Sequence, residues 1–334
     1  MSAAPDPEPR RPEPAAGVAR IAVDLLGGDH APAVVVDGAL RACSADPRLH
    51  LLLVGPARVA DEVLTMLPAA DRDRVAVRDV TGVVGMADPP LRGVRTDTTV
   101  RAAAGALADG HADAVVSAGH SGAVVTAAVH ALGRLRGIRR PALAATLPGL
   151  SGPVVLLDVG ATPEVNAKVL VQHAALGAGY ARAVHGITAP RVGLLSNGAE
   201  PGKGDRARRA AAATLAAGGI LPGDAGYVGA VEGYDVPLGG PADVVVTDGF
   251  TGNVLLKGIE GAYALAGAPE PAVPRAAALL GVPGTVVICH GGATGADLAS
   301  GIALAARLHR TGMVGGIAET MPPATAASIG EVST

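Results

Sequence analysis

Residues 114–133, AVVSAGHSGAVVTAAVHALG, run for twenty positions without a charged side chain, and how they are read decides the fold. A bilayer span of that length is built mostly from large apolar residues. Here Ser117, His120, Ser121, Thr126 and His130 interrupt the run, and Gly119 and Gly122 sit near its middle. The pattern predicts a buried strand over 114–117, a glycine turn, and a helix over 122–135.

The same unit recurs on either side. Short, almost uninterrupted apolar runs fall at 21–25, 51–54, 75–80, 154–157, 191–195, 244–246 and 286–288, most of them followed by glycine and a helix-length segment. Continuous rather than alternating apolar character means that both faces of each strand are covered, as for parallel strands between helix layers. Helices are expected over 33–43, 97–108, 164–185, 205–217, 251–266 and 295–309. The chain therefore reads as α/β, a three-layer α/β/α sandwich around a mainly parallel sheet. No internal repeat is visible. The expected division is a disordered leader over 1–20, rich in Pro, Ala and charge and lacking the apolar segment of a signal peptide, then one elaborated domain over 21–312, or two lobes on a shared sheet, and a tail over 313–334.

Composition removes several function classes. With 27 basic against 30 acidic residues, the net charge of −3 leaves no basic stripe for nucleic acid or anionic lipid. Two cysteines, Cys43 and Cys289, cannot form a disulfide framework or a thiolate cluster, which suits a reducing, cytoplasmic compartment. No His and carboxylate spacing matches a metal motif, so no metal is expected. The nearest approach to a Walker loop, Gly198 to Gly204, is one residue short and lacks the hydroxyl after Lys203. No glycine fingerprint for a dinucleotide follows a strand, which argues against a hydride carrier.

In parallel α/β sheets, ligands bind beyond the carboxyl ends of the strands. Five post-strand loops are glycine-rich, at 24–32, 117–122, 194–205, 247–253 and 289–295. Glycines let backbone N–H groups approach a ligand, and the helix starts that follow carry partial positive charge, a combination suited to phosphate or an oxyanion. The bland alternative for any one loop is a plain turn. Lysine occurs three times, at Lys168, Lys203 and Lys257, and asparagine three times, at Asn166, Asn197 and Asn253. In so arginine-rich a chain a surviving Lys points to a need for a compact ammonium. Asn253 and Lys257, four apart, share one helix face. His30 is a candidate acid, base or phosphate donor, or a turn residue. Asp24 and Asp248 are placed to hold loop N–H groups. Cys289 is read as a core thiol, because strand geometry sends its neighbour His290 to the opposite side. Arg134, Arg136, Arg139 and Arg140 form a basic cluster, either a favourable helix end or a surface for an acidic partner.

The blocks IAVDLLGGDHAP, ADAVVSAGHSGAV, RPALAATLP, LLDVGAT, PRVGLLSNGAEPGKGD, DVVVTDGFTGNVLLKGIEG and LLGVPGTVVICHGG, in this order, resemble the bacterial PlsX-type phosphate acyltransferases over roughly residues 21–308. The resemblance implies transfer of a fatty acyl group from acyl carrier protein to inorganic phosphate, giving an acyl phosphate for phospholipid synthesis. It also implies a fold like that of isocitrate and isopropylmalate dehydrogenases, a homodimer, no organic cofactor, and a glycerol-3-phosphate acyltransferase downstream. Mapped onto this chain, Lys203, Asn253, Lys257, Asp248 and His30 are the expected catalytic residues. Phosphate and thioester loops are expected at Gly27, Gly28, Asp29, Ser117, Gly119, His120, Ser121, Gly122, Ser196, Gly198, Gly202, Gly204, Gly249 and Gly252. Phosphate is expected to attack the thioester directly, held among the loops at Gly27 to His30, Gly119 to Gly122 and Gly202 to Gly204.

Departures from the family pattern fall in these same loops. Relatives commonly carry Asn-Thr-Gly at His120-Ser121-Gly122, Asn-Ile-Gly-Glu at Ser196-Asn197-Gly198-Ala199, and Asn at Thr162. Residues 267–274 stand where relatives often carry a longer apolar and basic helical segment, so membrane association is expected to be weak or absent, at most peripheral at the inner face of the membrane. The competing functions are a phosphotransacylase acting on coenzyme A thioesters, a catalytically silent scaffold for lipid enzymes and, last, a metal-dependent hydroxyacid dehydrogenase.

Overall fold

The structure, a computed structural model, describes residues 17–91, 94, 97–266 and 275–321. Its strands are β1 (Ala19–Asp24), β2 (Leu49–Gly55), β3 (Val75–Asp79), β4 (Ala114–Ser117), β5 (Ala142–Gly149), β6 (Gly152–Leu157), β7 (Arg191–Leu195), β8 (Gly226–Val231), β9 (Val244–Val246), β10 (Ala276–Leu280) and β11 (Thr285–Cys289). The helices are α1 (Ala33–Ala45), α2 (Ala57–Met66), α3 (Ala69–Arg72), α4 (Thr99–Ala108), α5 (Ser121–Leu132), α6 (Ala167–His185), α7 (Arg206–Ala216), α8 (Asp235–Leu238), α9 (Gly249–Leu265), α10 (Gly295–Arg310) and α11 (Met313–Thr320).

All the strands join one sheet in the order β3-β2-β1-β4-β11-β10-β5-β6-β9-β7-β8. The central strands are buried on both faces, whereas the edge strands β3 and β8 stay largely uncovered. In β5, Ala142 and Ala144 face a core that also holds Leu170 of α6 and Leu298 of α10. Leu143, Ala145 and Leu147 face a second core with Val100 of α4, Val124 of α5 and Leu256 of α9. This two-sided burial accounts for the continuous apolar runs and makes the molecule a helix–sheet–helix sandwich.

The sheet is mostly parallel, but its centre reverses. β11 with β10, β10 with β5, and β5 with β6 pair antiparallel. The loops after β1, β4 and β11 therefore leave the sheet in the opposite sense to those after β6, β7 and β9. The five glycine-rich post-strand loops thus do not all leave the same edge of the sheet. The reversal runs through β5 and β10, ALAATLPG and AAALL, whose alanines and leucines carry no strand signature.

Two joints brace the halves in the same manner. Arg20, at the start of β1, donates to Asp113 from its backbone N–H at 2.8 Å and its guanidinium at 2.6 and 3.1 Å. Arg191, at the start of β7, does the same to Asp243 at 2.8, 2.8 and 3.1 Å. Each aspartate lies just ahead of the neighbouring strand, β4 or β9, so the halves share a device that the sequence does not show as a repeat. At the ends, β1 begins at Ala19, within the stretch expected to be leader, and α11 buries Met313 and Ile317 although it lies in the expected tail. No described helix is long and apolar enough to cross a membrane.

Candidate active site

Between α5 and α9, over the reversed centre of the sheet, lies a cavity of about 590 Å³. Leu143, Ala145, Leu147, Ala277 and Ile288 are among its apolar lining residues, and His120, Ser121, Asn253, Lys257, Glu260 and His290 are polar members of its wall. An apolar floor with a few polar groups at the rim suits an amphiphile whose reactive end is polar.

The α5 side is set by β1 and β4. Asp24 is buried at the end of β1; its carboxylate accepts from the Ser117 hydroxyl at 2.7 Å, and that hydroxyl accepts from the Gly119 N–H at 3.0 Å. Burial pushes the Asp24 carboxyl up, restrained by hydrogen bonds from Thr99 and Ser117. A Cβ on Gly27 would lie 2.8 Å from both the Gly119 nitrogen and the Ser117 hydroxyl, so that position admits glycine alone. His120 caps α5 by accepting the Ala123 N–H on Nδ1 at 3.3 Å, which leaves Nε2 to carry the proton in the neutral ring. First-turn amides such as those of Ser121 and Gly122 have no intrahelical acceptor. Gly119, His120, Ser121 and Gly122 all line the cavity. Gly27, Gly28 and Ser117 pack behind this loop, against Gly119 and Ala118, and Asp29 ties the segment to the turn after β11 by donating its N–H to the Gly291 carbonyl at 2.8 Å. His30 is exposed and outside the cavity wall.

The α9 side is set by β6 and β9. Asp158, fully buried after β6, accepts N–H bonds from Leu143, Gly160, Ala161 and Thr162 at 2.9, 3.0, 2.9 and 2.7 Å. Burial pushes its carboxyl up to about 6 against those four bonds. Gly252 backs onto it so closely that a Cβ would meet the Asp158 carbonyl oxygen at 1.9 Å, and Gly249 donates to the Thr162 carbonyl at 2.8 Å. These glycines of TDGFTGN thus seat α9 against the 158–163 turn and direct Asn253 and Lys257 to the cavity.

Asp248 caps α9 by accepting from the Thr251 N–H at 2.8 Å and takes a second bond from Arg208 at 2.6 Å. Burial works to raise its carboxyl, but the Thr251 N–H and Arg208 hold it below the usual range. Arg208 also donates to the Leu195 carbonyl at 2.8 Å, so the 196–205 loop is anchored beside the start of α9. Asn197 closes that loop by accepting the Gly204 N–H at 2.9 Å. Ser196, Gly198, Gly202, Gly204 and Lys203 stay outside the cavity wall, and the Lys203 side chain is half-exposed, 4.0 Å from the Glu200 carboxylate. Of the three asparagines, Asn166 caps α6, Asn197 closes a loop and Asn253 lines the cavity.

Sequence reasoning gave no role to Asp158, Glu260 or His290. Asp158 was visible only as an acid ending an apolar strand; Glu260 carries a sequence signal as the next turn of the Asn253 and Lys257 face. The Cys289 thiol is buried and pushed up to about 12, and its sulfur lies 2.4 Å from where a Cβ on Gly301 of α10 would stand. It faces away from α9, whereas His290 reaches Glu260 on that helix.

A profile of the family described as "Fatty acid synthesis protein" matches residues 19–269. The phosphate acyltransferase of Anaeromyxobacter dehalogenans strain 2CP-1 is 45% identical over 252 residues, 75% of this chain and 68% of that protein. The phosphate acyltransferase of Desulfitobacterium hafniense strain Y51 is 38% identical over 344 residues, 92% of this chain and 99% of that one. The chain belongs to the phosphate acyltransferase family. It is an acyl-transferring enzyme, and the acceptor in this family is phosphate. The Bacillus subtilis strain 168 acyltransferase, 43% identical over 72% of this chain and 71% of its own length, agrees. Among solved structures, EutD phosphotransacetylase from Staphylococcus aureus aligns with a TM-score of 0.59 at 16% identity, covering 90% of this chain and 95% of that one. A 4-hydroxythreonine-4-phosphate dehydrogenase from Klebsiella pneumoniae aligns at 0.54 and 16% identity, covering 88% and 99%. At that identity the likeness speaks to the acyltransferase's fold alone.

Proposed function

We propose that the enzyme transfers a fatty acyl group from the thioester of acyl carrier protein to inorganic phosphate by direct attack, releasing acyl phosphate and free carrier, as a step of phospholipid synthesis. The observation that carries this reading is the cavity itself, with an apolar floor for the acyl chain and, on its walls, the start of α5 and the Asn253 and Lys257 face of α9. Attack by phosphate places a second negative charge on the carbonyl oxygen. The Ser121 and Gly122 amides, the His120 imidazole and the Asn253 amide are the donors assigned to that oxygen, with Lys257 balancing the charge. Lys203, on the loop that Arg208 anchors beside α9, is assigned to the phosphate, with the glycines of that loop giving it room. Asp248 holds the loop and helix together, Gly27, Gly28 and Asp29 brace the turns behind His120, and His30, exposed outside the cavity wall, is given no part in the reaction.

The reading extends to a homodimer acting in the cytoplasm, with a glycerol-3-phosphate acyltransferase consuming the product. The isocitrate and isopropylmalate dehydrogenase-like fold that the resemblance implies is kept as part of this proposal. Residues 267–274, the basis for expecting weak membrane attachment, lie outside the described residues; vesicle co-sedimentation tests that expectation. The reaction is tested by supplying matched acyl carrier protein and coenzyme A thioesters with phosphate and trapping acyl phosphate as its hydroxamate. Faster turnover of the carrier thioester is expected. Preference for coenzyme A would move the enzyme to phosphotransacylase chemistry, and failure with both would leave a silent scaffold.

A further inference from the structure

The CHGG turn after β11 has no part in the reading above, yet it puts a histidine and a carboxylate together on the cavity wall. His290 Nε2 lies 3.1 Å from Glu260 Oε1, the two side chains being 30% and 27% exposed. Glu260 stands one turn beyond Lys257 on α9, and both line the cavity along with His290. Glu260, an acceptor when ionised, faces Nε2 at ion-pair distance and so favours a proton on that nitrogen, which leaves the lone pair of the neutral ring on Nδ1. Among the described residues, the recorded polar contact of the His290 ring is the one to Glu260 through Nε2, and Nδ1 is not a buried unpartnered atom. The pair thus has the form of a carboxylate-oriented base, with its working nitrogen open.

We infer that His290, oriented by Glu260, is a catalytic residue that carries the single proton the transfer must move. This rests on the cavity being the thioester site. Phosphate enters as the monohydrogen dianion, and its oxygen bonds to the carbonyl carbon while the carbon–sulfur bond breaks. The acyl phosphate leaves as a dianion, so the proton originally on phosphate has to reach the carrier's thiolate. His290 Nδ1 accepts it as the tetrahedral intermediate forms, the Glu260 carboxylate stabilises the imidazolium, and the same nitrogen returns it to the departing sulfur. No oxidant or further reactant is needed. In reverse, the same nitrogen deprotonates the thiol, whose thiolate is the reactive form.

The test compares thioesters of one acyl chain that differ in the basicity of the leaving thiol. His290→Gln should lower kcat on an alkyl thioester about 100-fold, the lower end of the range for general acid–base catalysis. On an aryl thioester, whose thiolate departs unprotonated, the loss should shrink to roughly 10-fold or less, while KM for both thioesters stays near wild type. Glu260→Gln, which keeps a hydrogen-bonding oxygen but no charge, should show the same leaving-group trend with a smaller loss, and it serves if the histidine variant does not fold. Equal losses on both thioesters, or an alkyl rate within a few-fold of wild type, would overturn the role. If wild type itself forms no acyl phosphate from any thioester, the reading of the cavity fails instead; if wild type is active and the variants are unaffected, only the proton carrier is wrong.

Discussion

Arg20 and Asp113 are joined three ways, by a backbone N–H and by two guanidinium nitrogens on the same carboxylate, with the Asp113 N–H returning a bond to the Arg20 carbonyl at 2.7 Å. The joint locks β1 to β4, the strands that carry the Asp24 and His120 loops. Arg191 and Asp243 lock β7 to β9 in the same way, so each half of the sheet is held in register just behind one wall of the cavity.

These joints make acid stability predictable. Burial alone would raise both aspartates, but their arginines hold them below the usual carboxylate range. A carboxylate depressed in the folded state contributes stability above its unfolded value, about 3.9, and loses it as pH falls through the folded value. Asp113→Asn should cost about 2 kcal/mol at pH 7. Asp243→Asn, opposite a half-exposed arginine, should cost about 1 kcal/mol or less. Urea denaturation from pH 7 down to about 3 should show both gaps closing.

Asp158 has the opposite sign. With its carboxyl pushed up to about 6 by burial, the protonated form is favoured on folding. Its contribution is full below the unfolded value near 3.9 and is lost as pH rises through about 6. Asp158→Asn keeps one acceptor oxygen but turns N–H toward a neighbouring donor, so it destabilises throughout. The gap from wild type in urea should be wider at pH 4.5 than at pH 7.5, the reverse of the Asp113 trend.

Two glycines on α9 should respond in opposite directions. Gly252→Ala forces a Cβ into the Asp158 carbonyl, at 1.9 Å, and should cost about 3 kcal/mol or prevent folding. Gly258→Ala meets nothing within 4 Å and should stabilise by roughly 0.5–1 kcal/mol. Thermal unfolding of the pair separates close helix–turn packing from mere helix propensity.

On the catalytic side, Lys257→Ala and Lys203→Ala should each lower acyl phosphate formation by about 100-fold, the scale of losing one preorganised charge partner. Asn253→Ala should fall mainly in kcat. Rates within a few-fold of wild type would remove those roles.

Much of this architecture was legible in the sequence because two-sided burial writes continuous apolar runs, and the β4 and α5 unit around Gly119 to Gly122 lies where the run at 114–133 put it. The reversal at the sheet's centre was hidden because β5 and β10 are built from alanine and leucine, which read as readily as helix. That reversal separates the Gly198 to Gly204 loop from Gly27 to His30, a three-dimensional fact no spacing encodes. The scarcity of Lys and Asn did single out Lys257 and Asn253, but it could not distinguish them from Asn166, whose amide oxygen simply caps a helix. Asp158 takes three of its N–H bonds locally, but its bond from Leu143 and its close packing under Gly252, like the His290–Glu260 contact, bring together segments more than ten residues apart in sequence.

The cavity between α5 and α9 as the seat of the acyl thioester is tested most directly by filling its floor. Ala277→Phe, on β10 at the cavity wall, should fold yet abolish phosphate-dependent formation of hydroxamate-trappable acyl phosphate from acyl carrier protein, while wild type yields one acyl phosphate per thiol released. A folded Ala277→Phe enzyme that turns over the same long-chain thioester at the wild-type rate would contradict that assignment.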